Sequence, residues 1–98
     1  MYIYVWEYTV LDINKEAFES IYGKTGEWVK LFSGKDGYIK TEFFVNPRGV
    51  YMTIDYWESK EKQTKFMEDF KMEYDEIDRR CDELTESEIL LGEFTTLE

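Results

Sequence analysis

The stretch from Tyr2 to Leu11 is a strand with no water-facing side. Strand side chains alternate between faces. One face therefore carries Tyr2, Tyr4, Trp6, Tyr8 and Val10, and the other carries Ile3, Val5, Glu7, Thr9 and Leu11. Both are mostly apolar, as are both faces of Val50 to Trp57. A sheet buried on both sides needs two covering layers, and the remaining sequence supplies one.

That layer is helical. Beyond strand 1, Asn14 is a good N-cap, with Ile13 and Phe18 at the spacing of a hydrophobic staple. Phe18, Ile21 and Tyr22 give this first helix an apolar side, and Gly23 and Gly26 interrupt it. Trp28, Val29, Leu31 and Phe32 form a second short piece closed by Gly34. Gly37 then releases the chain into strand 2, from Tyr38 to Val45. Asn46-Pro47-Arg48-Gly49 is type I turn chemistry, so strand 3, Val50 to Trp57, returns as a hairpin. Ser59 caps a long second helix, about Lys60 to Leu84, whose stripe steps by three or four through Phe66, Phe70, Tyr74, Ile77, Cys81 and Leu84. Thr85 to Glu88 has capping-box spacing and reads as one tight turn. Strand 4, about Ile89 to Thr96, ends a single domain spanning residues 1–98. The order β-α-β-β-α-β is a split βαβ, ferredoxin-like α+β unit with an antiparallel sheet. Right-handed crossovers place both helices on one face. The helix-free face stays apolar, which marks an interaction surface, and a twofold homodimer through that face is the expected cover.

Composition narrows the function classes. A net charge of −10 and a pI near 4.5 argue against nucleic acid and anionic membrane surfaces as partners. No apolar run approaches the roughly 18 residues of a membrane span. Cys81 is the only cysteine, so an intramolecular disulfide is excluded. With no basic leader before strand 1, the expected location is cytoplasmic. The chain has no histidine, which removes the usual near-neutral acid/base and the commonest metal ligand. Neither a calcium loop nor a phosphate-cradling glycine pattern is present. No metal or cofactor is expected.

Among candidate site residues, Glu7 lies in a central strand, where an unpaired charge is costly. At a pocket, desolvation raises its pKa and suits it to proton abstraction; elsewhere it pairs with a Lys, Arg or tyrosine. Asp55 shares a strand face with Thr53 and Trp57. If that face coincides with the face of Glu7, two close carboxylates split into an acid and a base. Trp28, Trp57, Phe70 and Tyr74 are candidate walls for a flat aromatic ligand. Cys81, on the apolar stripe, reads as an inert core thiol.

Several pieces of this order are familiar. Trp57-Glu58-Ser59, ending strand 3 and opening a long helix, is one. Others are Val5-Trp6-Glu7-Tyr8, Tyr22-Gly23, and Gly26 through Phe32. Gly37-Tyr38, Thr41-Glu42, Thr53 through Ser59, Tyr74 with Ile77-Asp78, Cys81 with Leu84-Thr85, and Leu91-Gly92-Glu93-Phe94 complete the set. Together they resemble the antibiotic biosynthesis monooxygenase family of dimeric α+β barrels over essentially the whole chain. The resemblance implies a pocket in each subunit between the sheet and its own helices. It also implies a cofactor-independent monooxygenase, or a related enzyme, acting on a small aromatic or quinol-like molecule. It aligns Glu7 with a strand-1 position where heme-degrading relatives carry a pocket asparagine, and Trp57 with a pocket tryptophan. The histidine many relatives carry early in the second helix is missing; Phe66 and Met67 stand nearby. That departure argues against histidine-ligated heme and keeps open a non-catalytic dimeric module that binds a hydrophobic small molecule.

Overall fold

The structure is a computed structural model that describes residues 1–97. Its elements run β1 (Tyr2–Thr9), a 3-10 turn (Asp12–Asn14), α1 (Lys15–Tyr22), α2 (Glu27–Phe32), β2 (Tyr38–Val45), β3 (Val50–Trp57), α3 (Lys60–Asp69), α4 (Lys71–Cys81) and β4 (Ser87–Thr95). The four strands form one antiparallel sheet in the order β2-β3-β1-β4, so β1 is central. This is the expected ferredoxin-like α+β architecture, with the helices gathered on one face.

Tyr2 pairs with Trp57, Tyr4 with Asp55, Trp6 with Thr53 and Tyr8 with Tyr51. These residues face the helices, where Tyr2, Tyr8, Tyr51, Trp57, Phe18 and Phe66 are all buried. The other register, Ile3 with Tyr56, Val5 with Ile54 and Glu7 with Met52, faces away. Aromatic edges and stacks knit the core: Phe18 stacks on Tyr22 at 4.1 Å, and Phe32 meets Trp57 edge-on at 5.9 Å. Ring pairs at such distances add to the area they bury.

Turn chemistry reads through into structure at β2–β3. Asn46 Oδ1 accepts from the Arg48 and Val50 amides, and Gly49 takes φ +81°, which glycine adopts without steric cost. Ser59 Oγ accepts from the Lys62 amide at 3.2 Å and caps α3 as expected. Asn14 does not cap α1: it is itself helical, and its side-chain amide donates to the Glu83 carbonyl instead. Ile13 is 88 % exposed and staples nothing. The tight turn expected over Thr85 to Glu88 falls earlier, at residues 82–84, and strand begins at Ser87, which pairs with Thr9 while the Glu86 amide donates to the Thr9 carbonyl.

The long second helix is broken at Phe70 (φ −120°, ψ 26°) into α3 and α4. Phe70 stacks on Phe66 at 5.4 Å and lies under the Lys35 ammonium, so ring packing holds it off the helical line. The jog lets Phe66 seat on Trp57 while α4 turns Tyr74 toward Trp28. Strand β4 carries an irregularity of its own. Val5 pairs with Gly92 but Trp6 pairs with Leu90, leaving Leu91 as an extra residue. Strict alternation from Phe94 would put Leu90 and Glu88 on the helix-free face; the bulge swings both to the helix side.

Candidate active site

Between the sheet and the helices lies a cavity of two lobes that share the walls Trp6, Phe32, Asp55 and Tyr74. The inner lobe, about 30 Å³, adds Tyr8, Tyr22, Trp28, Thr41, Thr53 and Glu88. The outer lobe, about 200 Å³, adds Tyr4, Trp57, Gln63, Phe66, Met67 and Leu90. The inner lobe holds little more than a water-sized group; the outer one has room for a flat ring. Leu90, exposed, forms part of the outer rim.

Asp55 sits where the lobes meet. Strand β3 presents Thr53, Asp55 and Trp57 at spacing two, and the register flanks Asp55 with Tyr4 on β1 and Thr41 on β2. Thr41 Oγ1 donates to Asp55 Oδ1 at 2.7 Å. Because Thr41 commits its proton there, Tyr38 is the donor in the 2.8 Å contact between the two hydroxyls. The chain Tyr38 to Thr41 to Asp55 thus fixes one carboxylate oxygen. Among the described residues, Oδ2 has no hydrogen-bond partner. The side chain keeps some accessible surface although protein surrounds it, since what it is open to is the cavity it lines. Burial pushes its carboxyl up to about 6, against the lowering pull of the Thr41 hydrogen bond.

The neighbouring hydroxyls are held neutral. Burial drives Tyr8, Tyr22 and Tyr74 above the ordinary phenol value. Tyr8 and Thr53 share a hydrogen bond of 3.0 Å. The Trp28 ring lies 4.8 Å from that of Tyr74, and its indole N–H is buried without an acceptor among the described residues. No Lys or Arg lines either lobe among the described residues.

Of the residues singled out from sequence, Asp55, Trp28, Trp57 and Tyr74 come together here. Glu7 does not. It faces the opposite side of the sheet, paired with Met52 and Ile89, so the expected meeting of Glu7 with Asp55 is not made. The cause is alternation: an odd position on β1 cannot share a face with Asp55, which lies opposite Tyr4. Phe70 also lies outside both lobes, against Phe66 and Lys35. Cys81 is buried, and burial pushes its thiol up, away from reactivity.

Gln63 and Glu88 are among the cavity residues that were not singled out. Gln63 is 8 % exposed, faces the outer lobe, and its side-chain amide makes no hydrogen bond among the described residues. A polar residue on the cavity side of α3 was its only sequence signal. Glu88 arrives through the β4 bulge, which alternation does not foresee. Burial, then Asp78 and Asp82, raise its pKa. Carboxylate oxygens of Asp78, Asp82 and Glu88 lie within 4.8 Å of one another, with no basic side chain bridging them among the described residues.

With this geometry in place, known structures can be compared. A variant of SnoaB, a cofactor-independent oxygenase from Streptomyces nogalater, superimposes with a TM-score of 0.73 at 18% identity, covering 99% of this chain and 93% of that one. PA3566 from Pseudomonas aeruginosa gives a TM-score of 0.70 at 11% identity over 99% and 94% of the two chains. The chain shares the ferredoxin-like α+β fold of these structures. Identities this low carry the fold and nothing finer. No protein-family model matches the sequence, and no curated protein matches it. No helix among the described residues is long and apolar enough to cross a membrane.

Proposed function

We propose that the chain is a cofactor-independent monooxygenase acting on a small, electron-rich hydroxyarene or quinol, with Asp55 as its base. The observation that carries this reading is Asp55 itself: a carboxyl raised to about 6, one oxygen fixed by Thr41 and the other open to an aromatic cavity. A base of that strength is ionised at neutral pH yet basic enough to take a phenolic proton as charge develops. The substrate ring lies in the outer lobe against Trp57, Phe66 and Met67, and its hydroxyl reaches Asp55 Oδ2. Asp55 removes the proton, and the phenolate gives one electron to O2. Recombination of the radical pair forms a carbon–oxygen bond, and Asp55 returns its proton to the resulting hydroperoxide. Loss of water leaves a quinone, so one oxygen atom of O2 ends in the product and the other in water. The substrate is the reductant, which is why the residues present suffice.

The fold is shared with an oxygenase described as cofactor-independent, which supports the reading without assigning it. The helix-free sheet face, with Val5, Ile54, Ile89 and Phe94, is assigned to a second copy of the chain. A lone cysteine without a disulfide suits a reducing, cytoplasmic compartment. Oxygen consumption with a panel of quinols and anthrones tests the activity. The expected result is turnover that drops by about 10²-fold or more in Asp55→Asn. Turnover unaffected by that substitution removes Asp55 from the mechanism. A ligand that binds and is released unchanged makes the protein a binding module instead, a role consistent with its lack of histidine.

A further inference from the structure

The carboxylates of the cavity have no countercharge. Asp55 stands at the junction and Glu88 in the inner lobe only, and neither lobe contains a Lys or Arg among the described residues. Asp78 and Asp82 add two further negative groups behind Glu88. Ionised carboxylates taken from water without a cation are costly. Around them stand the rings of Trp6, Trp28 and Tyr74, a residue class whose faces attract cations through their quadrupoles. The inner lobe is too small for a ring at about 30 Å³ but fits a head group of water's size. Glu88 reaches this lobe only because the Leu91 bulge re-aims β4, so the acidic end of the cavity is built by a local departure from regular structure.

We propose that the cavity takes a hydroxyarene carrying a protonated alkylamine, with the ring in the outer lobe and the ammonium inward against Glu88. This rests on the reading of the cavity as a substrate site. The assignment divides the labour of the two acids. Glu88 and the ring faces recognise the cation, while Asp55 remains free to act on the hydroxyl. The Gln63 side-chain amide, which has no hydrogen bond among the described residues, accepts from or donates to a second polar group on the ring. Anionic arenes are rejected, because a carboxylate in the inner lobe would meet Glu88 with nothing to neutralise either.

Three phenols of one shape test this by titration calorimetry: tyramine, 4-ethylphenol and 3-(4-hydroxyphenyl)propionate. Tyramine is expected to bind at least about tenfold tighter than 4-ethylphenol, and the propionate not measurably. Glu88→Gln is expected to erase the preference for tyramine, bringing the two phenols to within about threefold of each other. Equal or tighter binding of 4-ethylphenol to the unaltered protein, or a preference that survives Glu88→Gln, overturns the proposal. If 4-ethylphenol binds and tyramine shows no advantage, the charge assignment fails and the hydroxyarene site stands. If tyramine is preferred but no phenol is oxidised, the oxygenase reading fails and this one stands. Binding by none of the three sinks both.

Discussion

Asp55 is an acid whose folded-state pKa is raised, from an ordinary 3.8 to about 6, chiefly by burial. Between those values the folded chain holds a proton that the unfolded chain has released. Stability therefore falls as pH rises through this window, and ionised Asp55 is a net cost at neutral pH. Asp55→Asn keeps the shape and removes the charge. Urea unfolding is expected to find the variant more stable than the parent near pH 8, by at most about 3 kcal/mol, with the gap closing below about pH 4. Thr41→Val removes the hydrogen bond that lowers this carboxyl. The acid limb of kcat/KM against pH is expected to move upward by roughly half a unit to one unit. Sequence placed Asp55 with Thr53 and Trp57, since spacing of two on a strand leaves no choice. It could not say which face of β1 met the helices, because both faces are apolar, and so Glu7 and Asp55 stayed open as a pair.

The same limit operates on whole elements. Strands β2 and β3 were legible to the residue, because Gly37, the Asn46–Gly49 turn and Ser59 punctuate them with side chains whose chemistry is local. The break at Phe70 and the β4 bulge were not, since no Gly or Pro marks the first and tertiary packing decides both. The α1–α2 link shows how tightly packing constrains one of the glycines. A Cβ on Gly26 would lie 2.1 Å from the Ile21 carbonyl oxygen, an atom of backbone that cannot swing aside. Gly26→Ala is expected to destabilise the fold by about 1–3 kcal/mol in urea. A neutral result would mean that the two helices re-seat freely against each other. The Glu27–Arg80 ion pair joining α2 to α4, with contacts of 2.6 and 3.0 Å, is solvent-facing and adds little to that hold.

At the scale of the molecule, the sheet does two different jobs with its two faces. One side, under the helices, holds Asp55, Glu88 and the aromatic walls. The other carries half-buried Ile3, Val5, Met52 and Ile54 with exposed Phe44, Ile89 and Phe94, rimmed by Lys40 and Glu42 on β2 and Tyr56 on β3. A monomer would leave this patch in water, at odds with the usual size of exposed apolar surface. Glu7 lies at the centre of that face, away from the cavity. Light scattering at micromolar concentration and physiological salt tests this division most directly. The account expects a particle of twice the 11.9 kDa chain mass, and Val5→Asp is expected to halve it. A stable particle of 11.9 kDa for the unaltered protein would contradict the account.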